Sequence, residues 1–438
     1  MRYHLLTLGC PKNVADSGRL ERLLQEAGHR PTSTAKAQMI IVNTCGFIDR
    51  AKEESVNAIL RLAAEKGPGQ SLVVAGCLSQ LSPQGLRDEI PEIDHVFGVE
   101  AGERIAALAG EARRESEGEE SPRLQQPRVS AYLKIADGCN ARCSFCIIPK
   151  IKGRLHSTPI DALVGEARRL SEEGARELVL VAQDSTAYGR DLGMRDGLPL
   201  LLRELAARVP EVEWLRVMYG YPGHVSAELA ETMASLPQVC HYLDLPLQHS
   251  SPAVLRRMRR PHDEADLRRT LERLRKAMPD VALRTTLLVG FPGETEEEFQ
   301  RLLDFVCEAG FDHVGAFPFS PQPGTAAAGM PGQVPERVKR RRYRQLMAVA
   351  KEVSLARNRG WVGREMAVLV ESEGGTTAGD ERVFVGRSFR DAPEIDGLTI
   401  CSGEALPGEM RRVRIVSALP YDLLAEPVTA AKASRAPS

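Results

Sequence analysis

A chain of 438 residues is long enough for two to four domains, and its 43% hydrophobic and 27% charged residues exclude a disordered chain or a fibre. Lys plus Arg number 58 and Asp plus Glu 59, so no global charge draws it to nucleic acid or an anionic membrane, and any such partner must be met by a local patch. No apolar run approaches the ~20 residues that span a bilayer, and no basic start leads into one, so a soluble, cytoplasmic protein is expected.

The first 110 residues alternate short apolar runs (Tyr3–Leu8, Met39–Val42, Leu72–Ala75, His95–Phe97) with amphipathic stretches at 16–28, 49–66, 83–89 and 100–110. Strands that alternate with helical periods predict βαβ units and a doubly wound parallel sheet. Residues 111–128 are almost devoid of apolar side chains and contain two prolines, the signature of a linker. Beyond them, strands are predicted near 131–136, 178–182, 214–219, 242–247, 283–289 and 313–317. Helices are predicted between most of them, among them 160–172 and 263–277, with Gly174 capping the first. Six βα units in about 200 residues predict an open (β/α)6 barrel with its chemistry at the C-terminal strand ends.

Residues 335–364 carry ten Lys or Arg against two Glu, including Lys339, Arg340, Arg341, Arg342 and Arg344. They read either as a solvated helix face or as a contact for RNA or an acidic partner. After 365, short strands (366–371, 382–386, 398–401, 411–416) separated by Gly, Pro and Asp predict a small antiparallel β-barrel. The expected division is 1–112, a linker at 113–128, 129–357, 358–425, and a disordered tail at 426–438.

Nine cysteines are too sparse for a disulfide scaffold. Cys240, Cys307 and Cys401 stand alone and read as ordinary buried thiols. Cys139-Asn-Ala-Arg-Cys143-Ser-Phe-Cys146 follows an apolar run and the turn Asp137-Gly138. Spacings of three and two residues let one loop wrap three thiolates around one face of a 4Fe-4S cluster, leaving an iron open for a substrate. Zinc would want a fourth Cys or His nearby, and no His lies between Ala131 and Leu155. A second group is dispersed: Cys10, Cys45 and Cys77 each end an apolar run, in LLTLGC, IIVNTC and LVVAGC. At the C-terminal edge of an open parallel sheet they would converge, as ligands do there, and could hold a second cluster with one free iron.

These motifs resemble the radical S-adenosylmethionine (AdoMet) methylthiotransferases. LGCPKN (8–13), VNTCGFIDRAKEES (42–55), AGCL (75–78), YLKIADGCNARCSFCIIP (132–149), AQDSTAYG (182–189), PLQHSS (246–251) and TTLLVGFPGETEEEF (285–299) follow that family in order. The proline of LGCPKN, the GFID after Cys45 and GRSFRDAPEIDG (386–397) resemble the branch that modifies ribosomal protein S-twelve. Ala141 stands where the family often has His, and Ser157-Thr158-Pro159 where Ser-Arg-Pro is usual.

The resemblance implies an α/β protein whose last domain is TRAM-like, with two 4Fe-4S clusters and AdoMet as cofactors. Cys139, Cys143 and Cys146 would hold the cluster that cleaves AdoMet to a 5'-deoxyadenosyl radical, and Cys10, Cys45 and Cys77 the auxiliary cluster that delivers the methylthio group. The implied substrate carbon is the β-carbon of an aspartate in S-twelve, which has no acidic proton or leaving group for acid-base or nucleophilic catalysis to use. Phe145, Gln183 and Gly290 are candidate AdoMet contacts; His249 reads as a core histidine. A low-potential flavodoxin or ferredoxin is the expected electron donor, and S-twelve or the small subunit the partner, with a contact to ribosomal RNA possible through the Arg-rich stretch.

One rival is a tRNA adenosine methylthiotransferase, whose last domain should be basic to grip phosphates. Residues 358–438 carry ten basic and twelve acidic residues, and DAPEID reads as an acidic docking face for basic S-twelve. A non-catalytic iron-sulfur carrier or RNA-binding module is the rival from another class, although a carrier normally has all its irons ligated by protein.

Overall fold

The structure, a computed structural model, describes residues 1–110, 129–376 and 382–428. The linker expected at 113–128 lies outside the described residues, as does the tail expected at 426–438 from 429 onward; Glu426 and Pro427 belong instead to the last strand, which extends the third unit past the expected boundary. The first unit is a five-stranded parallel sheet of β1 (Arg2–Thr7), β2 (Arg30–Pro31), β3 (Met39–Thr44), β4 (Ser71–Gly76) and β5 (His95–Val96), in the order β2-β1-β3-β4-β5. All six residues of β3 are buried, as a central parallel strand covered on both faces must be. The covering helices are α1 (Pro11–Glu26), α2 (Asp49–Glu65), α3 (Cys77–Leu81), α4 (Pro83–Glu89) and α5 (Gly102–Gly110).

The second unit has six parallel strands, β6 (Ser130–Lys134), then β9 (Glu177–Val181), β10 (Trp214–Val217), β11 (Val239–Asp244), β12 (Ala282–Val289) and β13 (His313–Pro318), paired in sequence order. Between β6 and β9 lie the short pair β7 (Ala136–Asp137) and β8 (His156–Ser157). The helices are α6 (Ile148–Ile151), α7 (Ile160–Glu172), α8 (Gly197–Arg208), α9 (Ala227–Ser235), α10 (Pro252–Arg257), α11 (Glu264–Ala277), α12 (Glu296–Ala309) and α13 (Glu336–Arg359). All six predicted strands and the helices at 160–172 and 263–277 are present. Gly174, just past α7 at φ 105°, takes the left-handed conformation its place demands.

Alternation along each strand sends one set of residues to the helices and the other to the inner face. Leu178, Leu180, Leu215, Val217 and Leu283 join the helical core, whereas Val179, Val181, Trp214, Tyr242 and Ala282 pack against Leu369 and Ala392 of the last unit. The third unit, a closed barrel of β14 (Glu365–Thr376), β15 (Arg382–Ser388), β16 (Thr399–Ser402), β17 (Met410–Ala418) and β18 (Leu423–Pro427), therefore covers part of the inner face of the open barrel. It is not wholly antiparallel: β16 and β18 pair in parallel.

Three expectations are corrected. DAPEID does not present its acids together as a docking face: Glu394 is exposed, but Asp391 is buried, and the buried Asp396 carboxylate pairs with Arg284 at 3.2 Å while Tyr242 donates to it at 2.7 Å. The Arg-rich helix is no uniform solvated face: Lys339 and Arg342 are buried, Lys339 donating to the Phe319 carbonyl and Arg342 pairing with Glu294 at 2.9 Å. Cys240 and Cys401 are buried, but Cys307 is exposed on α12. Among the described residues no helix is long and apolar enough to cross a membrane.

Candidate active site

Each dispersed cysteine sits where a strand of the first sheet ends. Cys10 is the N-cap of α1, Cys45 follows β3 directly, and Cys77 opens α3 after β4. Gly9 is held at φ 94°, and a Cβ there would lie 2.5 Å from the Cys45 Cβ, so only glycine lets these two loops close on each other. Asn13 binds the group together. Its Nδ2 donates to the carbonyls of Leu8 at 2.8 Å and Thr44 at 3.0 Å, and the Cys77 thiol lies 3.9 Å from its Oδ1. Ser55 spans Cys45, accepting from its N–H at 3.0 Å and donating to its carbonyl at 2.9 Å.

The second trio lies on the loop after β7, at the C-terminal edge of the second sheet. Ala141 donates its backbone N–H to the Cys139 Sγ at 3.4 Å, a contact that any side chain at 141 would permit. The Ser144 N–H and hydroxyl bind the Met258 and Arg257 carbonyls, which pins the loop to the end of α10. Ser157 donates to Asp191 and accepts from Gly189, so this loop is held by polar contacts in which Thr158 needs no basic side chain. The two groups meet across α6, because Cys77 packs on Ile147 and Ile151, and Ile147 directly follows Cys146. Lys152 then bridges the units, pairing with Asp16 of α1 at 3.0 Å and Asp137 at 3.1 Å. Burial alone would raise the Asp137 carboxyl, yet Lys134 and Lys152 hold it down at about 2.

Burial pushes the Cys77 and Cys146 thiols up to about 12 each. Such thiols become thiolates when a cation takes the proton's place, as iron does. Among the described residues no three His, Cys, Asp or Glu groups close on one point tightly enough for a single ion. A structural zinc is ordinarily held by four Cys or His ligands, whereas a 4Fe-4S cluster with three protein thiolates keeps one iron open.

Phe145 packs edge-on to Phe291, ring centroids 6.4 Å apart, within a cluster that includes Val254 and Met258. Gln183 donates to Asp137 at 2.9 Å and leaves its Oε1 buried without a partner. Gly290 ends β12 at φ 74°, and a Cβ there would meet Lys339 Cγ at 2.4 Å, so the need for glycine is accounted for by its backbone and by that lysine. His249 is fully buried and accepts the Ser251 N–H at 2.9 Å.

Arg260 carries no motif and escaped the sequence reading. It is 8% exposed, stacks 4.5 Å from the Tyr221 ring, and leaves Nε and Nη1 without partners; its charge acts on Cys139 and Cys146. A buried guanidinium with free donors beside a thiol cluster fits an anionic group or cofactor carboxylate there. Only the fold, which brings the turn after α10 to the cysteine loop, reveals it.

The chain matches the Radical SAM superfamily over residues 133–306, the "Uncharacterized protein family UPF0004" over 2–98 and the TRAM domain over 362–428. It is 46% identical to "Ribosomal protein uS12 methylthiotransferase RimO" of Roseiflexus sp. (strain RS-1), over 98% of each chain. It is 44% identical to the protein of that name in Geobacter sulfurreducens, over 96% of this chain and 97% of the relative. Among solved structures it is similar to the radical S-adenosylmethionine methyltransferase TsrM of Kitasatospora setae. There the TM-score is 0.56 at 15% identity, over 75% of this chain and 77% of that one, which bears on the fold alone.

Proposed function

The chain belongs to the family of ribosomal protein uS12 methylthiotransferases, and from that premise we propose that it attaches a methylthio group to the β-carbon of an aspartate in uS12. It is a radical AdoMet enzyme whose cofactors are AdoMet and two 4Fe-4S clusters. We assign one cluster to Cys139, Cys143 and Cys146 and the other to Cys10, Cys45 and Cys77. Held there, the first cluster with AdoMet would supply the radical chemistry that an unactivated carbon requires, and the second would supply sulfur.

The chain's own residues supply position. Asn13 and Ser55 hold the Cys45 and Cys77 loops in register, and Gly9 admits Cys45 beside Cys10. Lys152 with Asp16 and Asp137 fixes the first sheet against the second, and with it the separation of the two centres. Phe145, the unpaired Oε1 of Gln183, the turn at Gly290 and the unpaired donors of Arg260 are offered to AdoMet. The observation that carries this reading is the pair of cysteine trios at the C-terminal edges of two parallel sheets, joined through the packing of Cys77 on Ile147.

uS12 or the assembled small subunit is the partner, in the cytoplasm, with a flavodoxin or ferredoxin as reductant and the exposed arginines of α13 available to ribosomal RNA. The test is mass spectrometry of an anaerobic reaction holding reconstituted protein, AdoMet, reductant, a uS12 loop peptide and tRNA. A methylthio increment on the peptide aspartate is expected. An increment on a tRNA adenosine would keep the chemistry and overturn the substrate.

A further inference from the structure

Lys12, two residues after Cys10 on the first turn of α1, places its Nζ 3.5 Å from the centroid of the Tyr219 ring. Tyr219 stands just beyond β10, at the C-terminal edge of the second sheet, on the other unit. Its backbone is held at φ 61°, a left-handed conformation costly for an aromatic residue. That conformation is fixed from both sides: the Tyr219 N–H donates to Asp244 at 3.4 Å and its carbonyl accepts the Ser185 N–H at 3.0 Å. The fold therefore spends backbone strain where this ring meets a lysine.

A cation over a ring face keeps its N–H donors free for an anion. Other lysines at the junction of the two units are committed, Lys134 and Lys152 to Asp16 and Asp137, and Lys52 to Asp49 and Gln322. Lys12 is half-buried and, among the described residues, has no ion pair or side-chain hydrogen bond; its ammonium faces the ring. A half-buried ammonium anchored only by a ring, beside Cys10, is arranged to receive a negative charge.

Resting on the reading of the substrate as an aspartate, we propose that Lys12, seated on Tyr219, holds the substrate side-chain carboxylate and so selects aspartate over neutral side chains. The chemistry demands a cation at this place. The carbon that receives sulfur is bonded directly to that carboxylate, so whatever grips the carboxylate must lie beside the sulfur donor assigned to Cys10, Cys45 and Cys77. Lys12 answers that requirement from the loop of Cys10 itself. It acts as a substrate-positioning residue, and Tyr219 fixes where its charge lies.

The test uses reconstituted full-length enzyme with two uS12 loop peptides that differ only by Asp or Asn at the target position. Binding is followed by fluorescence anisotropy, and iron content and the paramagnetic resonance spectrum are recorded alongside. Wild type should bind the Asp peptide roughly tenfold to a hundredfold more tightly than the Asn peptide, as expected for a charge-assisted contact. Lys12→Met should bring the two affinities together with iron and spectrum unchanged, and Lys12→Arg should restore part of the preference. Lys12→Met that still prefers the Asp peptide as wild type does would overturn the proposal. Loss of iron from the auxiliary centre would overturn it as well, by assigning the charge to the cluster. Wild type that ignores both peptides and modifies tRNA would instead overturn the underlying substrate reading, and this proposal with it.

Discussion

Asn13 joins the ends of three strands with one amide, which makes it the residue on which the dispersed cysteine group most depends. Replacing it with Ala leaves the half-buried Leu8 and the buried Thr44 carbonyls short of a donor, at a cost of about 1–3 kcal/mol. Two clusters carry about eight irons; Asn13→Ala should lower that count toward about four while AdoMet is still cleaved, as iron assay and 5'-deoxyadenosine yield would reveal. The triple replacement Cys10→Ala, Cys45→Ala and Cys77→Ala should reach the same half-content outright. Loss of cleavage together with all the iron would mean that the two trios are not separate sites. The six cysteines were legible in the sequence because their spacing and strand-end placement are local patterns. Asn13 lay inside the motif LGCPKN, but two of its three partners, Thr44 and Cys77, are distant in sequence, and only folding shows what it holds.

Helix α13 carries two kinds of cation that composition cannot tell apart. Lys339 and Arg342 fall on the face turned inward, and Arg342 satisfies Glu294, whose other oxygen accepts the N–H groups of Gly290 and Phe291. Arg342→Met would strand a buried carboxylate at about 3–5 kcal/mol, read as a lower denaturation midpoint. Arg337, Arg340 and Arg344 are exposed, and replacing all three with Glu should change stability little. If this face meets ribosomal RNA, that replacement weakens binding to the small subunit and flattens its salt dependence; unchanged binding would remove the contact. Helical periodicity made α13 readable, but which of its arginines turn inward depends on the strand and loop they pack against.

At the scale of the whole molecule, buried ion pairs join the third unit to the inner face of the second. Glu177 of β9 pairs with Arg216 of β10 at 2.6 Å and with Arg387 of β15 at 2.5 Å, all three buried, while Arg390 pairs with Asp312 at 3.0 Å. Burial would raise the Glu177 carboxyl, but Arg387 and Arg216 bring it down to about 2. A depressed folded value means that its contribution to stability is complete above the unfolded carboxyl's ordinary value near 4.5 and is lost as pH falls from there toward 2. Thermal unfolding followed between pH 6 and pH 2 should therefore lose stability across that window. Glu177→Gln should remove much of that dependence and cost roughly 3–5 kcal/mol at neutral pH, because buried Arg216 loses its carboxylate and Arg387 keeps only Glu371. A variant with wild-type stability and pH profile would deny these pairs a role in holding the units together.

The sequence by itself determined the strand and helix succession, the three units and the six cysteines, because strand alternation, helical period and ligand spacing are written over a few neighbouring residues. Tertiary structure alone decided that the Asp391 and Asp396 carboxylates are interior partners, that Arg260 keeps Nε and Nη1 without partners beside the cysteine loop, and that Lys12 meets Tyr219 across two units. Charge and hydropathy along a chain are the same whether a residue faces water or an opposite charge; only the packing of one unit on another assigns each its surroundings.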